Sequence, residues 1–158
     1  MRGYEFLDQP VTRCIHFARS CDSRSFLESE VGNARKKGVR FAYWNYINGG
    51  REARSIAYPL ATAIGLEHVP YGNDRPWVQF LDDLITLAYL YDGLVIVIDR
   101  ADLLAREKCD EIFSCLEAFL IQFHHWYDQK KPCHLCFQMV EDDYVPSFFS
   151  REASGPRV

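Results

Sequence analysis

Apolar and polar positions fall into blocks along this chain, and the blocks have two periods. Val39 to Ile47, VRFAYWNYI, is dense in β-branched and aromatic residues and lies between Gly38 and Asn48-Gly49-Gly50. Apolar residues occupy both of its faces, which predicts a buried strand. Leu94 to Ile98, LVIVI, is a continuous apolar run between Asp92-Gly93 and Asp99-Arg100-Ala101-Asp102, and predicts a second strand. Cys133 to Val140, CHLCFQMV, predicts a third.

Between these runs the period becomes helical. PLATAIGL suits a short helix, with Pro59 in its first turn and Gly65 at its end. From Pro76 onward, Trp77, Phe80, Leu81, Leu84, Ile85 and Ala88 recur on one helical face. Pro76 fits the first helical position, with Asp74 or Arg75 before it. Gln79, Asp82, Asp83 and Thr86 fall on the other side. From about Glu107 to Tyr127, residues Ile112, Leu116, Phe119, Leu120, Phe123, Trp126 and Tyr127 form one apolar face, and Pro132 bars further helix.

The order β, α, α, β, α, β predicts an α/β domain over 39–140, with a parallel sheet and right-handed crossovers. Residues 1–38 read as an N-terminal arm of unclear role, in which SRSFLESEVGNARKKG could form a short helix stopped by Gly38. Residues 141–158, with Phe148 and Phe149, read as an irregular tail.

Composition narrows the picture. At 158 residues and 48% hydrophobic, the chain can bury one real core. No apolar run reaches the ~18 residues of a membrane span. The opening MRGYEFLDQPVTRC lacks the apolar stretch of a secretory signal. A cytoplasmic setting is expected, with the six cysteines reduced. Residues 71–120 carry ten acidic against four basic side chains, a net of −6 within a chain of −4. That distribution argues against direct contact with nucleic acid and fits a basic partner.

Candidate chemistry is sparse. Cys133, His134 and Cys136 lie close together, with His124 and His125 upstream, but a strand points Cys133 and His134 to opposite faces. Any Cys/His pair could in principle form a nucleophilic site, and no spacing singles one out. No GxGxxG or GxxxxGK[ST] phosphate loop occurs. Asp82 and Asp83 are adjacent, so on a helix they diverge by about 100°. That is poor geometry for a shared acid/base site and fair geometry for receiving two basic side chains. The plainer reading is a solvated helix face.

A set of short strings adds a resemblance. Ile47-Asn48-Gly49, Arg54-Ser55-Ile56, Leu66, Tyr71-Gly72, Asp82-Asp83-Leu84, Leu94-Val95 and a last strand opening at Cys133 occur in the order seen in barstar, the inhibitor of the ribonuclease barnase. The chain resembles the barstar family over about residues 39–140. The resemblance implies a small three-stranded parallel sheet packed by helices, and no enzymatic activity, catalytic residue, metal or cofactor. It implies a monomeric immunity protein that blocks a cognate basic toxin one to one, a ribonuclease being expected, without touching nucleic acid or membrane. Tyr71, Gly72 and Asp82 match family contact positions. Asp74 lies in the same loop, and Gln79, Asp83 and Thr86 share the exposed face. Val78 and Ile121 stand where the family carries acidic contacts, and Arg75 would sit beside basic enzyme residues. The rival readings are a small α/β enzyme or a metal- or ligand-binding domain using Cys/His groups, and a barstar-fold regulator of another protein.

Overall fold

The computed structural model describes residues 14–19, 38–66 and 75–139. These form four strands and four helices in the order β1 (Ile15–Arg19), β2 (Val39–Asn45), α1 (Ala57–Ile64), α2 (Pro76–Leu90), β3 (Gly93–Asp99), α3 (Ala101–Glu107), α4 (Cys109–Asp128) and β4 (Cys133–Met139). All strand pairs are parallel, in the lateral order β1-β4-β3-β2. The α/β class and the parallel sheet therefore hold. The strand count does not: a fourth strand, IHFAR, comes from within the N-terminal arm and pairs with β4.

The connections β2→β3 and β3→β4 step across the sheet in the same sense, so right-handed crossovers place their helices on one face. Accordingly Leu60, Leu84, Leu104, Phe119 and Trp126 pack in one cluster with Trp44, Ile96, Ile98, Leu135 and Phe137. Every residue of β3 and β4 is buried, as expected of strands inside a parallel sheet. The sequence predicts burial on both faces for β2 as well. It is an edge strand instead, and Tyr43 on it is exposed.

Helix ends reflect local chemistry. Pro76 opens α2 after Arg75, where its missing N–H costs nothing. α1 stops at Gly65, whose φ of 94° returns its own N–H and that of Leu66 to the Ala61 carbonyl, at 3.1 and 2.9 Å. Arg40, on β2, donates twice to the Ile64 carbonyl, at 2.7 and 2.9 Å, so the sheet itself caps this helix. α3 and α4 meet at Lys108; the expected helix from about Glu107 corresponds to α4, and α3 is an additional helix. The apolar face expected on α4 is wider than the core it meets. Ile112, Phe119 and Trp126 are buried, while Leu120 and Tyr127 remain 51% and 57% exposed. Among the described residues, no helix is long and apolar enough to cross a membrane.

Candidate functional site

In open α/β sheets, ligands bind outside the carboxyl ends of the strands. Here that edge gathers side chains from separate parts of the chain. β3 ends at Asp99, buried on the face of the sheet opposite the helices. The hydroxyl of Tyr43, two residues short of the end of β2, donates to Asp99 Oδ2. The Arg100 amide donates to Asp99 Oδ1 at 2.8 Å. Both oxygens of this carboxylate are thus engaged.

Arg100 adopts φ 57°, ψ 37°, a left-handed conformation that costs a non-glycine residue about 1–2 kcal/mol. The turn lets its guanidinium reach Asp102, with Nε to Oδ1 at 3.2 Å and Nη2 to Oδ2 at 3.0 Å. The Asp102 side chain is fully enclosed, so the ion pair satisfies a carboxylate that water cannot reach. Gln138, one step past the Ile98↔Phe137 pair on β4, is buried on the same face as Asp99.

The loop after β2 is sewn to the α3–α4 junction and closes one flank of this edge. Tyr46 donates its hydroxyl to Glu107 Oε2 at 2.8 Å, and Arg51 grips the same carboxylate with Nη2 at 2.7 Å and Nε at 3.0 Å. Lys108 Nζ donates to the carbonyls of Gly50 and Ala53, at 2.6 and 2.7 Å. Glu111 Oε2 accepts from Ser55 Oγ at 3.0 Å and Trp77 Nε1 at 3.1 Å, which ties α2 into the same knot. Hydrogen bonds from Arg51 and then Tyr46 hold the Glu107 carboxyl below its ordinary range. Burial, then the Glu107 contact, pushes the Tyr46 phenol up to about 12.

The cysteine readings find little support. Cys133 and Cys136 stand at C-x-x-C spacing, but three residues along a strand is an odd step, so they point to opposite faces. Burial pushes the thiols of Cys115 and Cys136 up to about 12, and raises those of Cys133 and Cys14. Thiols so placed are poor nucleophiles near neutrality. His134 shares a 2.9 Å hydrogen bond with His16 across β1 and β4, through Nδ1 and Nε2. Among the described residues, no group of three or more His, Cys, Asp and Glu side chains is placed to hold a metal ion.

The residues expected to meet a toxin are only partly placed. Tyr71, Gly72 and Asp74 lie outside the described residues, as do residues 23–37 of the expected N-terminal helix, Phe148 and Phe149. On α2, Asp82 and Thr86 are exposed, and Gln79 and Asp83 beside them are half-buried. Gln79 Nε2 donates to Asp83 Oδ1 at 3.4 Å, and Thr86 Oγ1 to the Asp82 carbonyl at 3.1 Å. These are one-turn contacts within the helix. Sequence reasoning passed over Tyr43, Asp99, Arg100, Asp102 and Gln138. The signal was an aspartate closing a fully apolar strand, read only as a strand boundary.

No family model matches the sequence, and no curated protein matches it. Solved structures do. The ORC2 protein of Aeropyrum pernix in its ADP form superposes with a TM-score of 0.55 at 11% identity, over 90% of this chain and 40% of that one. The same protein in its ADPNP–ADP complexes gives 0.53 at 12% identity, over 88% and 38%. A chain of Drosophila ORC bound to DNA gives 0.54 at 16% identity, over 86% and 33%. This chain thus spans only about a third to two-fifths of those proteins. At such identities the likeness establishes a shared fold alone. It replaces the barstar expectation, because the described four-stranded sheet, with β1 beside β4, has ORC proteins as neighbours. The immunity function, the toxin partner and the exclusion of nucleic acid rested on that expectation or on surface charge, and fall with it. The fold of this chain is that of an α/β domain in ORC proteins.

Proposed function

We propose that the chain is an initiator-type, ATPase-like domain that works as a non-hydrolysing assembly module within a DNA-associated complex. The observation that supports this reading is a mismatch at the carboxyl edge of the sheet. P-loop nucleoside triphosphatases grip phosphates with a glycine loop bearing a lysine, and hold Mg²⁺ partly through an aspartate on another strand. This chain offers the second part, since Asp99 closes an apolar strand in the middle of the sheet. It offers no counterpart to the first. GxxxxGK[ST] is absent from the sequence, and no glycine occurs between Gly3 and Gly32, a stretch that includes all of β1. Asp99 is engaged by Tyr43 and the Arg100 amide, and Asp102 by the Arg100 side chain. A nucleotide–metal complex would share Asp99 with these bonds and would have no glycine-loop motif to hold its phosphates. The ADP and DNA in the neighbours' descriptions belong to those proteins, and supply the setting proposed for this one.

The test is a titration of the full chain with fluorescent ADP and ATP in Mg²⁺, beside a phosphate-release assay. The expected result is no saturable binding and no release above buffer. Saturable binding that Asp99→Asn abolishes, or Asp99-dependent phosphate release, would overturn the reading and restore a working nucleotide site.

A further inference from the structure

Leu120 and Tyr127 on α4 are large apolar side chains left about half exposed. Ile112, Phe119 and Trp126 recur every seven residues and are buried in the core. One position later, Leu120 and Tyr127 recur with the same period and are 51% and 57% exposed. Leu116 and Phe123, half-buried against the core, fill the alternate places. Leu116, Leu120, Phe123 and Tyr127 are therefore spaced four, three and four apart, the seam along which a second helix packs knobs into holes. Ring contact between Phe123 and Tyr127, with centroids 6.1 Å apart, makes the far end of the seam one continuous aromatic surface.

Charge names the occupant. Cys109 to Asp128 contains no Lys or Arg, and its exposed charges, Asp110, Glu117 and Asp128, are all acidic. Asp110 and Glu117 sit seven apart along one border of the seam. A second copy of α4 would bring only more acid to that border. We propose that α4 docks an amphipathic helix of a protein partner, one that presents apolar residues at heptad spacing flanked by Lys or Arg. The apolar seam supplies the area, and the acidic border selects the partner and its register. The inference deepens the assembly-module reading and rests on it for its setting, but nucleotide binding and helix docking fail independently.

The probe is a synthetic peptide of about five helical turns, or about 18 residues, with Leu at the seam positions and Lys at the borders. A control peptide keeps the leucines and replaces every Lys with Glu. Fluorescence anisotropy against the full chain should show saturable 1:1 binding of the Lys peptide, and binding of the Glu peptide weaker by about tenfold or more. Leu120→Ser with Tyr127→Ser leaves charge unchanged and touches exposed side chains, so an unaltered circular dichroism melt is expected alongside binding lowered by about tenfold or more. No binding, binding equal in the double variant, or equal affinity for both peptides would overturn the proposal. So would sedimentation showing the unmodified chain as a dimer that Leu120→Ser dissociates, since a second copy would then own the face.

Discussion

Among single side chains, Glu107 joins distant parts of the chain, accepting from Tyr46 and Arg51 across 61 and 56 residues. Its carboxyl is held low by the hydrogen bonds from Arg51 first and Tyr46 second. The unfolded chain therefore takes up this proton at a higher pH than the folded one. The contribution to stability is whole above the ordinary glutamate value of about 4.3, and is lost as pH falls through the lowered value. Glu107→Gln is expected to lower the melting temperature modestly at neutral pH, with the gap to the parent closing in acid. Melts from about pH 7 to about pH 3 check this, and a constant gap would show that ionisation plays no part. Tyr46 works with the opposite sign. Its phenol is pushed up to about 12, so its contribution is present below the usual tyrosine value and fades only as pH climbs towards 12.

Elements were legible where their residues all served one purpose. LVIVI announced β3 because both faces are buried, and Gly65 announced the end of α1 because the turn needs its φ of 94°. A Cβ on Gly65 would come within 2.8 Å of Arg40 Nη2, the group that caps the helix. Gly65→Ala should therefore cost about 1–2 kcal/mol from the left-handed turn alone, and more if Arg40 is displaced. A urea midpoint equal to the parent's would refute the cap. β1 was not legible, because IHFAR is only five residues with a histidine and an arginine among them. It looks like a strand only beside the apolar β4. The excess apolar face of α4 looked like core, since periodicity counts greasy positions and cannot say how many the fold will cover. The carboxyl-edge cluster was hidden for a different reason. Tyr43 and Asp99 are 56 residues apart and meet only through the register that sets Asn45 against Asp99.

For the molecule as a whole, lateral order mattered more than element order. A run of β, α, α, β, α, β is compatible with several sheets, and the one that forms is decided by where β1 returns. Because, among the described strands, β3 and β4 each have two neighbours and β1 and β2 one, hydrogen exchange should rank their amides in that order. The slowest exchange is expected in β3 and β4, at the free energy of global unfolding, with β1 opening first. Amides of β1 as slow as those of β3 would contradict the ranking. The same topology bears on how the protein is made. His16 meets His134 across 118 residues, so β1 leaves the ribosome long before the strand it must join. At about 5–20 residues per second, the wait for β4 is roughly 6–24 s. For that time Ile15 and Phe17 lack the strand they pair with, Leu135 to Phe137 of β4. β4, made long after β1, is the strand that β1 pairs with.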